Sequence, residues 1–237
     1  MEMKIGPKPF VVAELSGNHK GSLETAKEMI LRARHCGCDA VKIQTYEPED
    51  LLDPQNNHLY NECRIPRDWY PALYVQADTW GIPLFSSVFA PWAIDFLRAF
   101  RCPAFKLASP ESTRLPYKSY WNLRDEIKSY DLPLWLSSGQ SDWTDMQRLS
   151  ADVMLYCIAG YPATFADSDL SFFRGVNSAY YKYGFSDHTS DIKASVAMIG
   201  AGARIIEKHF KLDNNCVDAA FSLDPTQMKL LCDIAHR

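Results

Sequence analysis

Short apolar runs alternate along this chain with stretches whose apolar positions recur every three or four residues. That is the pattern of strands interleaved with amphipathic helices. The first run, 9–15, reads Pro-Phe-Val-Val-Ala-Glu-Leu and predicts a strand with one acid, Glu14, near its end. Residues 23–35 carry apolar side chains at Leu23, Ala26, Ile30 and Ala33, which predicts a helix stopped by Gly37. Further strands are predicted over 40–46, 83–89, 104–109, 133–139, 153–159, 181–185 and 204–210. Helices are predicted over 69–80, 91–100, 115–129 with its start left open, 142–149, 191–200 and 224–236. Residues 47–66 read as a polar loop long enough to suggest a function, and 163–178 as an irregular connection with room for one short helix.

Eight strands, each followed by a helix or its place-holder, fit a (β/α)8 TIM barrel in a chain of 237 residues. With no linker, charge block or low-complexity tract, residues 1–237 read as one domain. Barrel strands are buried on both faces and should be apolar. Here the exceptions fall late in the strands: Glu14, Lys42, Gln44, Ser86, Ser87, Lys106, Ser137, Ser138, His188 and His209. Strand alternation puts Lys42 and Gln44 on one face, Val41 and Ile43 on the other. A buried ammonium is costly unless an anion pairs with it. Lys42 and Lys106 are therefore either structural partners of Glu14, Glu111 or Glu207, or the floor of a pocket for a compact polyanion. Two lysines and several hydroxyls suit a phosphate plus a carboxylate. The lack of a Gly-rich phosphate loop argues against a nucleotide.

Residues 181–210 form one strand–helix–strand crossover. His188 follows its first strand and His209 ends its second, so a parallel pair brings both imidazoles to the same sheet edge. Two imidazoles beside carboxylates are a candidate metal site; the alternative is two unrelated polar strand ends. Asp187 reads as a partner that orients a ligand or loop, and Asp218 as either a turn cap or a pocket acid. Cys157, mid-strand with no adjacent base, reads as core. His19, His35, His58 and His236 have no paired context, and Tyr161 before Pro162 suits packing or the pocket equally.

A net charge of -4 without basic runs argues against a nucleic-acid surface. No apolar run is long enough for a membrane span, and the N-terminus has no signal core. Seven scattered cysteines, with no Cys-x-x-Cys, suit reduced thiols in a cytoplasmic protein.

The ordered segments resemble the sialic acid synthase family. They are Val12-Ala13-Glu14 with Gly17-Asn18-His19, Ala40-Val41-Lys42-Ile43-Gln44-Thr45, Phe105-Lys106-Leu107-Ala108-Ser109 with Glu111, Leu136-Ser137-Ser138-Gly139, Tyr161-Pro162, Phe185-Ser186-Asp187-His188-Thr189, Ile206-Glu207-Lys208-His209-Phe210 and Asp218 with Phe221-Ser222-Leu223-Asp224-Pro225. The resemblance implies the (β/α)8 barrel and condensation of phosphoenolpyruvate with an open-chain amino-sugar aldehyde, giving a 3-deoxy-2-keto acid and phosphate. It implies a divalent cation, Mn2+ or Mg2+, on His188 and His209. It implies that Lys42, Lys106, Ser109, Ser137 and Ser186 hold phosphoenolpyruvate, with Ser87 in place of a family threonine. Gln44, Glu111, Tyr161 and Asp218 would face the sugar, and Glu14 would lie near the reacting carbons. Glu14 or Glu111 is expected to handle the protons of water. Departures are Ala159 for a frequent Asn or Ser, Gln140 for Met and Pro110 for Gly. The family's C-terminal antifreeze-like domain, with an arginine for the sugar's acyl group, would follow the eighth unit, so the sequence is expected to be either a fragment or a protein that works without that domain. A homodimer is left open. Two rival readings are a Schiff-base aldolase or lyase barrel without phosphoenolpyruvate, and a sugar-phosphate binding barrel without catalysis.

Overall fold

The computed structural model describes residues 2–51, 57–109, 117–139, 148–173 and 182–237. Eight parallel strands close in sequence order: β1 (Phe10–Glu14), β2 (Ala40–Thr45), β3 (Leu84–Val88), β4 (Phe105–Leu107), β5 (Leu134–Ser138), β6 (Val153–Cys157), β7 (Lys182–Asp187) and β8 (Ile205–His209). The ring is sealed where β1 pairs β8, Glu14 against His209. The described helices are α1 (Leu23–Cys36), α2 (Asn57–Cys63), α3 (Tyr70–Trp80), α4 (Pro91–Arg98), α5 (Tyr117–Ser129), α6 (Lys193–Ala201) and α7 (Pro225–Ala235). Local chemistry sets their ends. Ser22 caps α1 by accepting from the Thr25 amide at 3.2 Å, and Gly37 closes it at φ 95°. Asp224 and Gln227 form a capping box on α7, with Pro225 in the first turn. None of these helices is long and apolar enough to cross a membrane.

Register shows what fills the barrel. Phe10, Phe85 and Trp135 meet inside as a floor, with ring centroids 6.3 Å (Phe10–Trp135) and 4.9 Å (Phe85–Trp135) apart. Two residues further along their strands come Ser87 and Ser137; Ser87 pairs with Lys106, and Lys42 with Glu14. The barrel is thus apolar below and polar at the C-terminal mouth, the end where βα loops build active sites.

Among the described residues the strands and helices predicted above are observed, with differences at particular ends. Strand β4 is only three residues long, against a predicted 104–109. Strand β7 continues two residues past 185, because Ser186 and Asp187 pair with Glu207 and Lys208. The loop over 47–66 contains α2, a segment too short and polar to show a helical period. Tertiary contacts fix its surroundings: Glu47 pairs with Arg64 (3.4 Å) and Arg67 (3.0 Å), and Arg67 lies 3.9 Å over the Trp92 ring. Most of the predicted helix over 142–149, the start of that over 115–129, Pro110, Gln140 and Glu111 lie outside the described residues. All seven cysteines are free thiols.

Candidate active site

Lys42 and Lys106 both point into the mouth, and both are 3% exposed. Each has an acid partner: Lys42 pairs with Glu14, and Lys106 with Glu207. Lys42 also donates to the Ser87 hydroxyl at 2.9 Å and sits 3.8 Å from Glu207. Ser186 donates to Glu207 at 2.8 Å. Burial opposes the charge on Lys42, but Glu14 and then Glu207 outweigh it and raise its pKa above the ordinary value. Lys106 goes the other way. Burial lowers it, and the charge of Lys42 adds to that, against the pull of Glu207. Burial also opposes the Glu207 carboxylate, yet Lys106 and Lys42 together hold it below its usual range. Glu207 therefore stays ionised between two cations, while Lys106 is the more easily neutralised amine.

An ammonium carries three N–H donors. The hydrogen-bond partners named here leave one on Lys42 and two on Lys106. The Ser137 hydroxyl and the Glu207 Oε2 atom, both buried, have no hydrogen-bond partner among the described residues. These groups border a small cavity of about 70 Å3, walled also by Gln44, Ser109, Tyr161 and the two histidines. Alternation separates paired serines. Ser87 and Ser137 face this cavity, whereas Ser86 bonds Thr45 (2.7 Å) and Ser138 donates to the Gly139 carbonyl (2.9 Å). A larger, open cleft lies beside it, along the loops after β1 and β8, lined by Lys20, Glu62, Cys63 and Val217 among others. It lacks the buried charges of the barrel mouth.

His188 and His209 lie side by side at the ends of the neighbouring strands β7 and β8, ring centroids 5.5 Å apart. His188 Nδ1 lies 2.9 Å from the Ile158 carbonyl, and His209 Nδ1 lies 3.0 Å from Asp218 Oδ2. A carbonyl and a carboxylate only accept, so each Nδ1 donates, and in a neutral ring Nε2 keeps its lone pair. Burial, and then the neighbouring His209, push His188 down to about 3. The turn that carries His188 is held from behind. Asp187 accepts from the Thr189 amide (2.7 Å), Ser195 (2.5 Å) and Lys208 (3.1 Å), all buried.

A family model described as the NeuB family matches residues 29–237. The chain belongs to the NeuB family. It is 33% identical to pseudaminic acid synthase of Campylobacter jejuni, over 97% of this chain and 74% of that protein. It is 30% identical to N,N'-diacetyllegionaminic acid synthase of Legionella pneumophila, over 94% of this chain and 70% of that one. The fold superposes on N-acetylneuraminic acid synthetase of Leptospira borgpetersenii with a TM-score of 0.86 at 22% identity, covering 100% of this chain and 88% of the other. That last likeness bears on the barrel alone.

In this NeuB-family chain, the residues singled out from sequence converge on one mouth. Lys42, Gln44, Ser87, Lys106, Ser109, Ser137, Tyr161, Ser186, His188 and His209 line the cavity. Glu14 stands behind Lys42, and Asp218 behind His209. Burial would raise Asp218, but the bond to His209 and a contact from Ser16 outweigh it and hold its carboxyl low. Cys157, read as core, is buried and also borders the cavity. His19 does have partners: its ring bridges the Cys63 carbonyl (2.9 Å) and the Gly21 amide (3.2 Å), so it ties loops together. His236 pairs with Asp39 at 3.0 Å, far from the mouth. Two residues were undervalued from sequence. Glu207 entered only as an ion-pair alternative, although it lies two positions before His209 on the same strand face. Ser16 gave no sequence signal.

The imidazole pair fits a divalent cation by its donor chemistry: two Nε2 lone pairs, each ring oriented by a second hydrogen bond. Among the described residues no cluster of three or more His, Cys, Asp or Glu joins them.

A neutral, buried His188 has a stability consequence. Its folded value, about 3, lies below the ordinary 6.5, so between those values the unfolded chain binds more protons. Metal-free protein is expected to be fully stabilised by this group above about pH 6.5 and to lose that stability as pH falls. His188→Asn should flatten the stability slope between about pH 6.5 and 5, above the carboxylate range. Denaturant titrations at stepped pH check it; coincident slopes would mean the ring is already hydrated.

Proposed function

We propose that this protein condenses phosphoenolpyruvate with the open-chain aldehyde of an acylamino sugar, giving a 3-deoxy-2-keto nonulosonic acid and phosphate. The observation that carries this reading is the pair of buried ammonium groups facing the pair of imidazoles across one small cavity. Lys42, Lys106, Ser87, Ser109, Ser137 and Ser186 would seat the phosphate and carboxylate of phosphoenolpyruvate, the two ammonium groups through the N–H donors left over from their bonds to Glu14, Ser87 and Glu207. Gln44, Tyr161 and Asp218 would face the sugar, with Glu111 as a further candidate. A divalent cation, Mn2+ or Mg2+, on His188 and His209 would supply Lewis-acid polarisation of the aldehyde oxygen. The methylene carbon of phosphoenolpyruvate bonds to the aldehyde carbon, water adds at the neighbouring carbon, and phosphate leaves with its bridging oxygen. Glu14 or Glu111 would take a proton from that water and stabilise positive charge developing beside it. The relatives' names support the product class.

The test is phosphate release from phosphoenolpyruvate with a panel of 2-acetamido and 2,4-diacetamido hexoses and Mn2+, with products read by mass spectrometry. Release should depend on the sugar and fall to background with a chelator or in His209→Ala, whose fold should survive. Unchanged turnover in His209→Ala removes the metal from the reading. A Schiff-base aldolase is the rival with an observation behind it, because Lys106 is a buried amine with a lowered pKa. Borohydride trapping with pyruvate would label Lys106 in that case and leave it unmodified in ours. A binding barrel without catalysis would release no phosphate with any sugar.

A further inference from the structure

Glycine is the ordinary occupant of left-handed backbone, yet here the residue after Leu15 is Ser16, at φ 45°. Its neighbour Gly17 is needed for space instead: a Cβ there would lie 2.4 Å from Cys63 Sγ. So this loop spends its glycine on a close approach and keeps a side chain where the backbone disfavours one. Strain of this kind persists where the surroundings impose it, and it concentrates at functional sites.

The surroundings of Ser16 are the acceptor side of the mouth. Its amide donates to Glu14 Oε1 at 2.9 Å. Gln44 Nε2 reaches the same Glu14 oxygen at 3.3 Å and the Ser16 hydroxyl at 3.4 Å. The Ser16 hydroxyl also acts on the Asp218 carboxylate, which holds His209. One residue thereby bonds Glu14 from β1 and Gln44 from β2, beside the Asp218 loop after β8. Asn18 ties the same loops together independently, donating to the Phe210 carbonyl (2.8 Å) and accepting from the Asp218 amide (3.0 Å). The backbone clamp therefore does not need Ser16. What Ser16 adds is the hydroxyl.

We propose that Ser16 is a positioning residue for the sugar: its hydroxyl aligns Gln44, and with it the acceptor, while the phosphoenolpyruvate seat is independent of it. The inference rests on the functional reading given above. Glycine relieves the strain and deletes the hydroxyl; alanine keeps the strain and deletes the hydroxyl. In the Mn2+-loaded protein, with the best acceptor of the sugar panel, Ser16→Gly and Ser16→Ala should both raise the acceptor KM about fivefold, the loss of one neutral hydrogen bond. The KM for phosphoenolpyruvate should stay within about twofold, because the deleted hydroxyl bonds Gln44 and not Lys42, Lys106 or Ser137, while the Ser16 amide on Glu14 is kept. Ser16→Gly should melt about 2–4 °C above Ser16→Ala, the signature of relieved backbone strain.

An acceptor KM unchanged in Ser16→Gly overturns the proposal. So does a parallel rise in both KM values, which would mark a general loosening of the mouth. A parent protein that releases no phosphate with any sugar overturns the functional reading and this inference with it. An active parent with an indifferent Ser16→Gly variant overturns this inference alone.

Discussion

Lys106→Met is expected to lower stability by about 3–5 kcal/mol and to cut phosphate release at least about a hundredfold. The two losses have different origins. Removing the ammonium leaves Glu207 ionised at 3% exposure, with Ser186 as its hydrogen-bond donor and Lys42 at 3.8 Å. That uncompensated charge is the stability cost. The activity cost comes from two lost N–H donors at the cavity wall. The double variant Lys106→Met/Glu207→Leu separates them. Replacing both ions by apolar groups of similar size is often near neutral, so it should recover most of the stability and none of the activity. Urea denaturation and the phosphate assay on the same three proteins check it. Recovery of activity along with stability would make Lys106 a structural bridge and remove it from the phosphoenolpyruvate seat.

The same ion cluster explains what was legible in the sequence. Lys42 and Lys106 stood out because strands buried on both faces should contain no ammonium. Their consequence, acid partners within reach, followed from electrostatics; which acids did not. Glu14 was visible as the acid on β1. Glu207 was obscured because it sits between Ile206 and Lys208 in a run that reads as a mixed polar edge. Only register, Ser186 against Glu207, shows that it faces inward under Lys106. The serine pairs pose the same problem. Alternation says that one of Ser86 and Ser87 faces in, and the pairing of Ser87 with Lys106 decides which. His188 and His209 were legible as a pair because a parallel crossover brings strand ends together. Their Nδ1 partners were not, since Ile158 contributes a backbone carbonyl that no side-chain pattern encodes. Ser16 was silent for a related reason: a left-handed backbone at a serine leaves no trace in composition.

Gly184→Ala is expected to prevent the barrel from closing. A Cβ at Gly184 would lie 2.3 Å from the Ile205 carbonyl oxygen, 2.6 Å from Ile205 Cβ and 2.7 Å from a Leu155 methyl. Inserting a methylene group into a packed core usually costs about 1–3 kcal/mol, because side chains can shift. Here the nearest atom is backbone of the adjacent strand, so relief requires β7 and β8 to part. Those strands carry Ser186 and Asp187 on one side and Glu207 and His209 on the other. Opening them would dismantle the ion cluster and the imidazole pair together. The cost should therefore exceed the usual range and take a large share of a stability of about 5–15 kcal/mol. Gly200→Ala is the matched control. Gly200 lies within α6 with nothing within 4 Å of its added Cβ, so alanine there should stabilise by about 0.5–1 kcal/mol. Soluble yield and thermal unfolding of the two variants give the comparison. A Gly184→Ala protein that melts like the parent would mean the strand pair can widen without loss, and that the register placing Glu207 under Lys106 is not fixed by the glycine.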